Sequence, residues 1–584
     1  MSSLNRETPS LFLRNATGLV KGWSGFDAFT YSFMSVNLVT LGMYFSFLYV
    51  SSAADGSMIS SIVLSGVAVT FLCVAYAGLI AVMPRAGGDY VWQSRVLDGI
   101  PGIVSGAVMV GVGGYLVGTA IGGSSLGLIG GIVGIIGGGA LGYLKGALAF
   151  VLAATGWWFI LAQWAPIYGS ILRVEFLQPL AALIGWSGGV SFFSTANGSF
   201  VTSLIVIALT TALVSLGMAG YARIQRWSLW IGLVGLAIMF ILMLVSSQTD
   251  FQNAFDRASS SLFGVSGAYN AVVAAGTANG NTSLMPFGIG SGTLTLIPFM
   301  MFWILYPNWG ATLYGEVRGS GDFKKVLRGM LGGTWVTVIL AVVFLALAAK
   351  TFGWAFYSST GAQVYSATPV IPIWGYPPLL VSFLVDNRIF QIGMVVIFGA
   401  WFLGWSGTLF LSSTRMIFAA AFDRVLPEAA ARVSDRGVPT VALALIMVPS
   451  IIVSAIYAYW TPFVQWTLDA SLVIAVMFFG TAIAATILPW WKPKIYENSA
   501  MARYKLAGIP LISIAGFLTV LVLGWTIYQW LENSIYGIGV GTPSSIIYLG
   551  VLYGMAIVVY VAAWLYRRSH GVDLSAIHSE IPSE

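Results

Sequence analysis

The sequence of 584 residues is 58% hydrophobic and only 8% charged, and its mean hydropathy of +0.88 excludes an ordinary water-soluble domain. Its single cysteine and two histidines argue against a disulfide framework and a histidine-ligated metal site. Apolar segments of about 20 residues, the length that crosses a bilayer, recur along the chain. We therefore predict an all-α polytopic membrane protein whose partner is the lipid bilayer, and we assign the net charge of +6 to membrane topology and not to nucleic acid.

The first half of the chain predicts a polar N-terminal tail followed by five membrane helices. The tail covers residues 1–22, and helices 1 to 5 cover about 23–50, 57–83, 147–172, 201–218 and 227–245. Small and polar residues from Ser35 to Gly42 lie near the middle of helix 1. Such residues interrupt an otherwise apolar span, and at membrane depth they indicate either hydrogen bonding between helices or a functional site.

A glycine-dense apolar stretch, residues 99–146, separates helices 2 and 3. Two sets of glycines recur every four residues: Gly114, Gly118 and Gly122, then Gly130, Gly134, Gly138, Gly142 and Gly146. This spacing aligns small residues on one face and lets two helices approach closely. We predict an extra helical hairpin, about 101–121 and 126–144; a re-entrant or irregular glycine-rich loop is the alternative, because glycine weakens helices.

Helix 6 contains a proline and a glycine at its centre. The apolar run from Leu296 to Glu316 includes Pro307, Asn308 and Gly310. Pro307 removes a backbone donor and clashes with the preceding turn, and Gly310 relaxes the backbone after it. Because backbone groups freed in hydrocarbon need a cavity or a protein partner, this pattern predicts a broken helix of the kind that holds substrate in secondary transporters. The alternative is a proline kink packed against neighbouring helices.

The remaining segments complete a twelve-helix layout. Residues 246–290 predict a long aqueous extracellular loop, and the proline-rich residues 351–387 predict a partial lid. Helices 7 to 12 cover about 329–349, 389–411, 440–459, 469–488, 507–530 and 544–566, and residues 567–584 form a second tail. If both tails are cytoplasmic, all but four of the 26 lysines and arginines, namely Arg173, Arg257, Lys350 and Arg388, lie on the cytoplasmic side, as the positive-inside rule requires.

Three motifs resemble the amino acid–polyamine–organocation (APC) superfamily. They are Pro84-x-x-Gly87-Gly88-x-Tyr90-x-Trp92-x-x-Arg95 after helix 2, Gly315-Glu316-Val-Arg318 after helix 6, and Ser413-Thr-Arg415, Asp423-Arg-Val-Leu-Pro427 and Arg436-Gly-Val-Pro439 after helix 8. The resemblance covers about residues 23–488. Two features depart from the family pattern: the stretch 99–146, and Gly235 near the position where some proton-coupled relatives carry a lysine.

This resemblance implies a LeuT-type fold with 12 core helices. Helices 1–5 (residues 23–245) and helices 6–10 (residues 291–488) would form two inverted repeats, with helices 11 and 12 (residues 489–566) following them. Helices 1 and 6 would be broken at a common substrate site. Bare amides at a half-helix N-terminus suit a carboxylate, and carbonyls at a half-helix C-terminus suit an ammonium, so an amino acid matches both.

The predicted substrate residues lie at these two breaks. They are Ser35, Val36, Asn37, Thr40, Trp303, Tyr306, Pro307, Asn308, Trp309 and Gly310. For Ser35 and Asn37 the alternative is ordinary interhelical hydrogen bonding. For the tryptophans it is plain packing, since aromatic residues make up 14% of the chain.

Two further groups predict ion coupling and gating. Ser406 and Thr408 in helix 8 lie where sodium-coupled relatives use hydroxyls, and at most one contributes because residues i and i+2 do not share a helix face. The predicted spans offer no titratable group beside the pocket, which favours sodium over proton coupling, with uncoupled exchange as a third option. The gating candidates are Asp89, Arg95, Glu316 and Arg318. Arg95 is expected to pair with Asp89 or to cap backbone carbonyls at the cytoplasmic end, and Glu316 and Arg318 are expected to join the same network; solvated surface pairs are the alternative.

The most consistent interpretation is a secondary-active amino acid permease of the plasma membrane, without enzymatic activity, cofactor or resident metal. A carrier of polyamines or other organic amines is an alternative, although a polycation would be expected to recruit carboxylates to the pocket. A channel is a second alternative, which would need rings of charge or a carbonyl filter. The pattern does not predict which amino acid is carried, although the uncharged pocket favours neutral side chains, and it does not indicate the oligomeric state.

Overall fold

The computed structural model describes residues 19, 21–49, 53, 55–276, 287–363, 368–467, 470–539 and 542–580. Within them the chain forms a bundle of long apolar helices and one two-stranded antiparallel ribbon, Lys505–Leu506 with Ile509–Pro510. Most of the predicted N-terminal tail and the last four residues of the C-terminal tail lie outside the described residues.

Eleven helices among the described residues are long and apolar enough to cross a membrane. They are Met58–Val82, Gly99–Tyr143, Ala147–Leu183, Ala196–Ser215, Gly217–Val245, Phe323–Gly361, Arg388–Phe422, Thr440–Tyr459, Pro462–Trp491, Leu511–Glu532 and Pro543–Ser569. Ten of these correspond to predicted helices 2–5 and 7–12. Helices 1 and 6 are absent from this set because each is divided into segments too short to cross alone, as the sequence predicts for broken helices.

Helices 1 and 6 each consist of two unequal parts joined by a break. Helix 1 comprises Gly25–Val36 and, after a π-helical turn at Leu38–Gly42, Met43–Tyr49. Helix 6 comprises Ser291–Ile304 and a 3₁₀ segment, Trp309–Glu316.

Shorter helices connect the long ones. They are Asp89–Val96, Ser187–Phe193, Gln248–Phe263, Ala268–Gly276, Trp354–Gln363, Pro377–Ser382, Pro493–Glu497 and Leu574–Ile577, with 3₁₀ turns at Glu428–Ala431, Ala500–Arg503 and Ser534–Tyr536. Two of them, Gln248–Phe263 and Ala268–Gly276, lie in the segment predicted as a long aqueous loop, so most of its described part is helical. Three aromatic side chains of this segment form a buried cluster with Phe356, which the sequence pattern did not indicate. They are Phe251, Phe255 and Tyr269.

The glycine-rich stretch is a helical hairpin, which confirms the prediction. Helix Gly99–Tyr143 reverses direction at Gly122 and Gly123, the latter with φ 76°, a conformation that favours glycine. A methyl group added at Gly106 or Gly114 would overlap the backbone of the opposing arm, at Gly138 and Gly130. The two arms therefore contact backbone to backbone, as the four-residue spacing indicates.

The two ends of the helix bundle carry different segments of the chain, and we name each end after the segment it carries. The loop end carries the short helices of segments 246–276 and 354–387, and the tail end carries Lys21 and the C-terminal helix Leu574–Ile577. Helix 3 runs to Leu183 instead of ending near residue 172, and it contains π-helical turns at Thr155–Phe159 and Arg173–Leu177. Helix 8 likewise continues past Gly407 to Phe422.

Candidate substrate site at the breaks of helices 1 and 6

Helix 1 breaks at Asn37, which adopts a left-handed conformation (φ 54°, ψ 77°) that asparagine tolerates better than most residues. Its side-chain oxygen accepts hydrogen bonds from the Thr40 backbone amide (3.1 Å) and from the Trp401 indole of helix 8 (2.8 Å). Both of these donors would otherwise be unsatisfied in a buried region. Asn37 therefore fixes the geometry of the break and does not face an open pocket.

Helix 6 breaks between Ile304 and Trp309, at the predicted proline. The Pro307 carbonyl, freed by the break, accepts a hydrogen bond from the Ser32 hydroxyl of helix 1 (2.9 Å). A side chain at Gly310 would lie against the Tyr31 ring, 3.2 Å from its Cδ1 atom. The break of helix 6 therefore lies against the first part of helix 1, and its freed Pro307 carbonyl is paired inside the protein as membrane burial requires.

A narrow cleft of about 10 Å³ lies between the two breaks. Its walls come from helices 1, 3, 6 and 8: Ser35, Leu41, Trp164, Tyr168, Tyr306, Trp309, Trp405 and Thr408. The cleft is about the size that holds one water molecule. A larger ligand therefore requires these walls to separate.

Stacked aromatic rings close this cleft. Trp164 stacks on Trp309 with ring centroids 5.4 Å apart, and Tyr168 stacks on Trp405 at 3.8 Å. The Trp309 indole donates to the Thr408 carbonyl (3.1 Å), whereas the Trp164 indole nitrogen has no hydrogen-bond partner among the described residues. An unpaired buried donor at the wall of a cleft is suited to a polar ligand.

Above the cleft, a cavity of about 620 Å³ opens at the loop end. Leu41, Trp164, Tyr168 and Trp405 line both spaces, so they separate the cleft from the cavity. The proline-rich segment predicted as a lid contributes part of the cavity wall, including Trp374. The volume lies within the range of small-molecule sites, about 300–1,000 Å³.

The structure divides the predicted substrate residues into two groups. Ser35, Tyr306 and Trp309 line the cleft, whereas Val36, Asn37, Thr40, Trp303, Pro307, Asn308 and Gly310 are buried in the surrounding walls. Sequence reasoning missed Trp164, Tyr168 and Trp405. Trp164 and Tyr168 are four residues apart and therefore share a face of helix 3, but abundant aromatics hid this signal.

The two ion-coupling candidates, Ser406 and Thr408, lie in different surroundings. Thr408 lines the cleft and its hydroxyl lies 3.4 Å from the Tyr168 hydroxyl. The Ser406 hydroxyl donates to the Leu403 carbonyl of its own helix (3.0 Å), and the Ser406 carbonyl accepts from Thr210 of helix 4. Only Thr408 therefore faces the substrate cleft, in agreement with the expectation that the two hydroxyls do not share a face.

At the tail end, Arg95 does not pair with Asp89, but it does cap a backbone carbonyl, that of Glu580 (3.1 Å), which was the other expected contact. Arg95 forms two hydrogen bonds to Asp423 (2.6 and 2.8 Å), and this partner raises the pKa of Arg95 despite burial, which acts to lower it. Asp89 accepts hydrogen bonds from Tyr76, from Trp157 (3.0 Å) and from Thr481 (2.6 Å). Burial raises the pKa of Asp89, although these three donors oppose the shift.

Glu316 and Arg318 do not act together as the sequence suggested. Glu316 forms a buried bidentate pair with Arg415, at 2.7 and 3.1 Å, and Arg318 lies outside it and donates to the Lys21 carbonyl. A buried pair of this geometry is costly to break from one side. The Arg95–Asp423 and Arg415–Glu316 pairs close the tail end of the bundle.

The C-terminal segment covers this gate. His578 is buried, 3.0 Å from the Tyr90 hydroxyl and 3.9 Å from Asp423, and the Glu580 carbonyl accepts from Arg95 (3.1 Å). The sequence gives no such indication, because this segment is polar and reads as a solvated tail. The protein is therefore open at the loop end and closed at the tail end.

Comparison with known proteins adds one match. A family model described as an amino acid permease matches residues 99–559, which includes the motifs after helices 6 and 8 but not Pro84–Arg95. No curated protein matches the sequence.

Proposed function

Since the chain belongs to the amino acid permease family of the APC superfamily, we propose that it is a secondary-active amino acid transporter that works by alternating access. The observation that supports this most is the contact between two broken helices around a closed aromatic cleft. Broken helices at a common site are how secondary transporters expose backbone amides and carbonyls to a substrate. The cleft would hold the amino and carboxylate groups of the amino acid, and the aromatic walls would contact the side chain of the amino acid.

The contacts between helices support the inverted-repeat arrangement. Helix 1 packs against helix 7, and helix 6 packs against helix 2; helix 5 packs against helix 8, and helix 10 packs against helix 3. When helices 1–5 are exchanged with helices 6–10 by adding or subtracting five, the contact between helices 1 and 7 becomes that between helices 6 and 2. The contact between helices 5 and 8 becomes that between helices 10 and 3. This exchange is the pattern that two repeats of five helices produce.

The cavity supports a substrate that carries a carboxylate. Arg173 is the one charged side chain among the described residues that line it, and no carboxylate does. A polyamine would meet a cation at the entrance with no counter-charge, whereas an amino acid carboxylate would be attracted. We therefore favour amino acids with neutral side chains over polyamines.

Membrane topology follows from the charge asymmetry. We propose a plasma-membrane location in which the tail end is cytoplasmic and the loop end extracellular, because the basic residues concentrate at the tail end. The structure then corresponds to a state open to the outside and closed to the cytoplasm.

A thermal-shift panel of amino acids and amines on purified protein tests this assignment. At least one neutral amino acid is expected to raise the melting temperature in proportion to the logarithm of its concentration. Trp309→Ala should remove that shift, and Trp230→Ala, at an exposed aromatic outside the cleft, should keep it. A shift produced by polyamines and by no amino acid would contradict the proposal.

A further inference from the structure

Helix 3 carries a buried acidic residue that the sequence pattern placed outside the membrane. Glu175 lies in the π-helical turn Arg173–Leu177, and its side chain is fully buried. Its neighbours Arg173 and Val174 line the 620 Å³ cavity, so Glu175 lies one residue away from that water-accessible space. π-helical turns hold an extra residue and frequently occur at functional sites.

Glu175 differs from every other buried acidic side chain among the described residues. Asp27 contacts Arg226, Asp98 contacts Lys492, Glu316 contacts Arg415, and Asp423 contacts Arg95. Asp89 accepts hydrogen bonds from three donors. Within the described part of the chain, both carboxyl oxygens of Glu175 lack a hydrogen-bond partner. An ionised carboxylate without a partner is costly to bury, so this carboxyl is suited to bind a proton.

The titratable groups around Glu175 do not supply a counter-charge. Arg173, on the same turn, donates to the Phe193 carbonyl (3.1 Å). The short helix Ser187–Phe193 contains no titratable side chain, and the part of helix 8 that contacts this turn, Arg388–Ser406, carries one charged residue, Arg388, at its start. The preceding turns of helix 3 contribute Tyr168, which is engaged with Thr408. Tyr376 of the proline-rich segment interacts electrostatically with Glu175.

Tyr376 connects Glu175 to the substrate site. Its hydroxyl donates to the carbonyl of Val39, in the π-helical turn that follows the break of helix 1 (3.2 Å). Its ring also contacts Phe176, the residue after Glu175, with centroids 6.0 Å apart. A negative charge on Glu175 would therefore disturb the hydrogen bond by which Tyr376, in the proline-rich segment, contacts Val39 of helix 1.

We propose that Glu175 is a proton-binding site that couples substrate transport to a proton gradient. The carboxyl binds a proton from the loop end while the tail end is closed. It releases that proton when helix 3 and the proline-rich segment rearrange and water reaches the turn, so that one proton crosses with each substrate. This inference rests on the proposed transport function and assigns its coupling ion.

Reconstituted proteoliposomes test the two claims separately. Exchange of labelled for unlabelled substrate at equal pH measures transport itself, and accumulation driven by a proton gradient alone measures coupling. Glu175→Gln mimics the protonated carboxyl, so it should keep exchange within about twofold of wild type and reduce proton-driven accumulation at least tenfold. Glu428→Gln, at an exposed carboxyl, is the matched control and should accumulate substrate like wild type.

The outcomes are distinguishable. Proton-driven accumulation by Glu175→Gln equal to that of wild type would overturn the assignment. Wild-type accumulation that follows a sodium gradient and ignores a proton gradient would overturn it even if the variant failed to fold. Absence of exchange in the wild type would instead overturn the proposed function. Loss of coupling with preserved exchange would support both.

Discussion

Asn37 shows how one side chain determines the geometry of the site. It supplies the left-handed backbone at which helix 1 ends, and it pairs two buried donors, the Thr40 amide and the Trp401 indole. The sequence analysis predicted substrate contact for this residue, with interhelical hydrogen bonding as the alternative, and the bond from Trp401 is such an interhelical contact. Its bonding partners lie on helices that are distant along the chain, so its structural role follows from tertiary contacts and not from local pattern.

Substitutions at Asn37 should separate these two roles. Asn37→Gly keeps the left-handed backbone but removes the acceptor, and Asn37→Ala loses both. We expect Asn37→Ala to destabilise the protein by about 1–3 kcal/mol and Asn37→Gly to cost about 1 kcal/mol less. Denaturation of the purified variants in detergent measures the difference. Equal stability of the two variants would contradict a conformational role for this residue.

At the scale of elements, local chemistry predicts breaks better than it predicts ends. The break of helix 6 follows from Pro307, whose effect on its own backbone is independent of the fold. The end of helix 3 does not follow, because Arg173 and Glu175 interrupt the apolar run although the helix continues to Leu183. Whether a charged residue ends a membrane span depends on the surroundings that neighbouring helices provide for its side chain. The sequence alone does not reveal those surroundings.

The glycine hairpin depends on contact between backbones. Gly106→Ala should destabilise the protein by about 1–3 kcal/mol because the new methyl group overlaps the Gly138 backbone. Gly137→Ala is the matched control on the outer face of the same hairpin, where a methyl group meets nothing within 4 Å. It should be neutral or slightly stabilising, since alanine favours helix. Equal melting temperatures for the two variants would show that the arms are not packed through glycine.

The hairpin should also cross the membrane and return. Its ends lie beside tail-end residues, since Asp98 pairs with Lys492 and Lys145 donates to Ser579. A Ser124→Cys variant is suited to labelling because the native Cys73 is buried. An impermeant maleimide should modify it from the outside of intact cells. Labelling confined to the cytoplasmic side would exclude a membrane-crossing hairpin.

At the scale of the whole molecule, the C-terminal segment stabilises the closed tail end. It contacts Tyr90 through His578 and Arg95 through the Glu580 carbonyl, and we expect an opening of the tail end to break these contacts. Truncation after Val572 should therefore shift the population toward the state open at the tail end, by about five- to thirtyfold for 1–2 kcal/mol lost. Cysteine accessibility at the tail end measures this shift. Ala576→Ser, at an exposed position of the same segment, is the control and should change nothing.

The central claim is that substrate passes through the cleft between the breaks of helices 1 and 6. The most direct measurement is exchange of labelled amino acids in proteoliposomes that contain Gly310→Leu or Gly393→Leu. The first variant places a side chain against the Tyr31 ring at the breaks, and the second places it where nothing lies within 4 Å. Saturable exchange in wild type and Gly393→Leu, with loss in a correctly folded Gly310→Leu, is the predicted result. Normal exchange by Gly310→Leu would contradict the account.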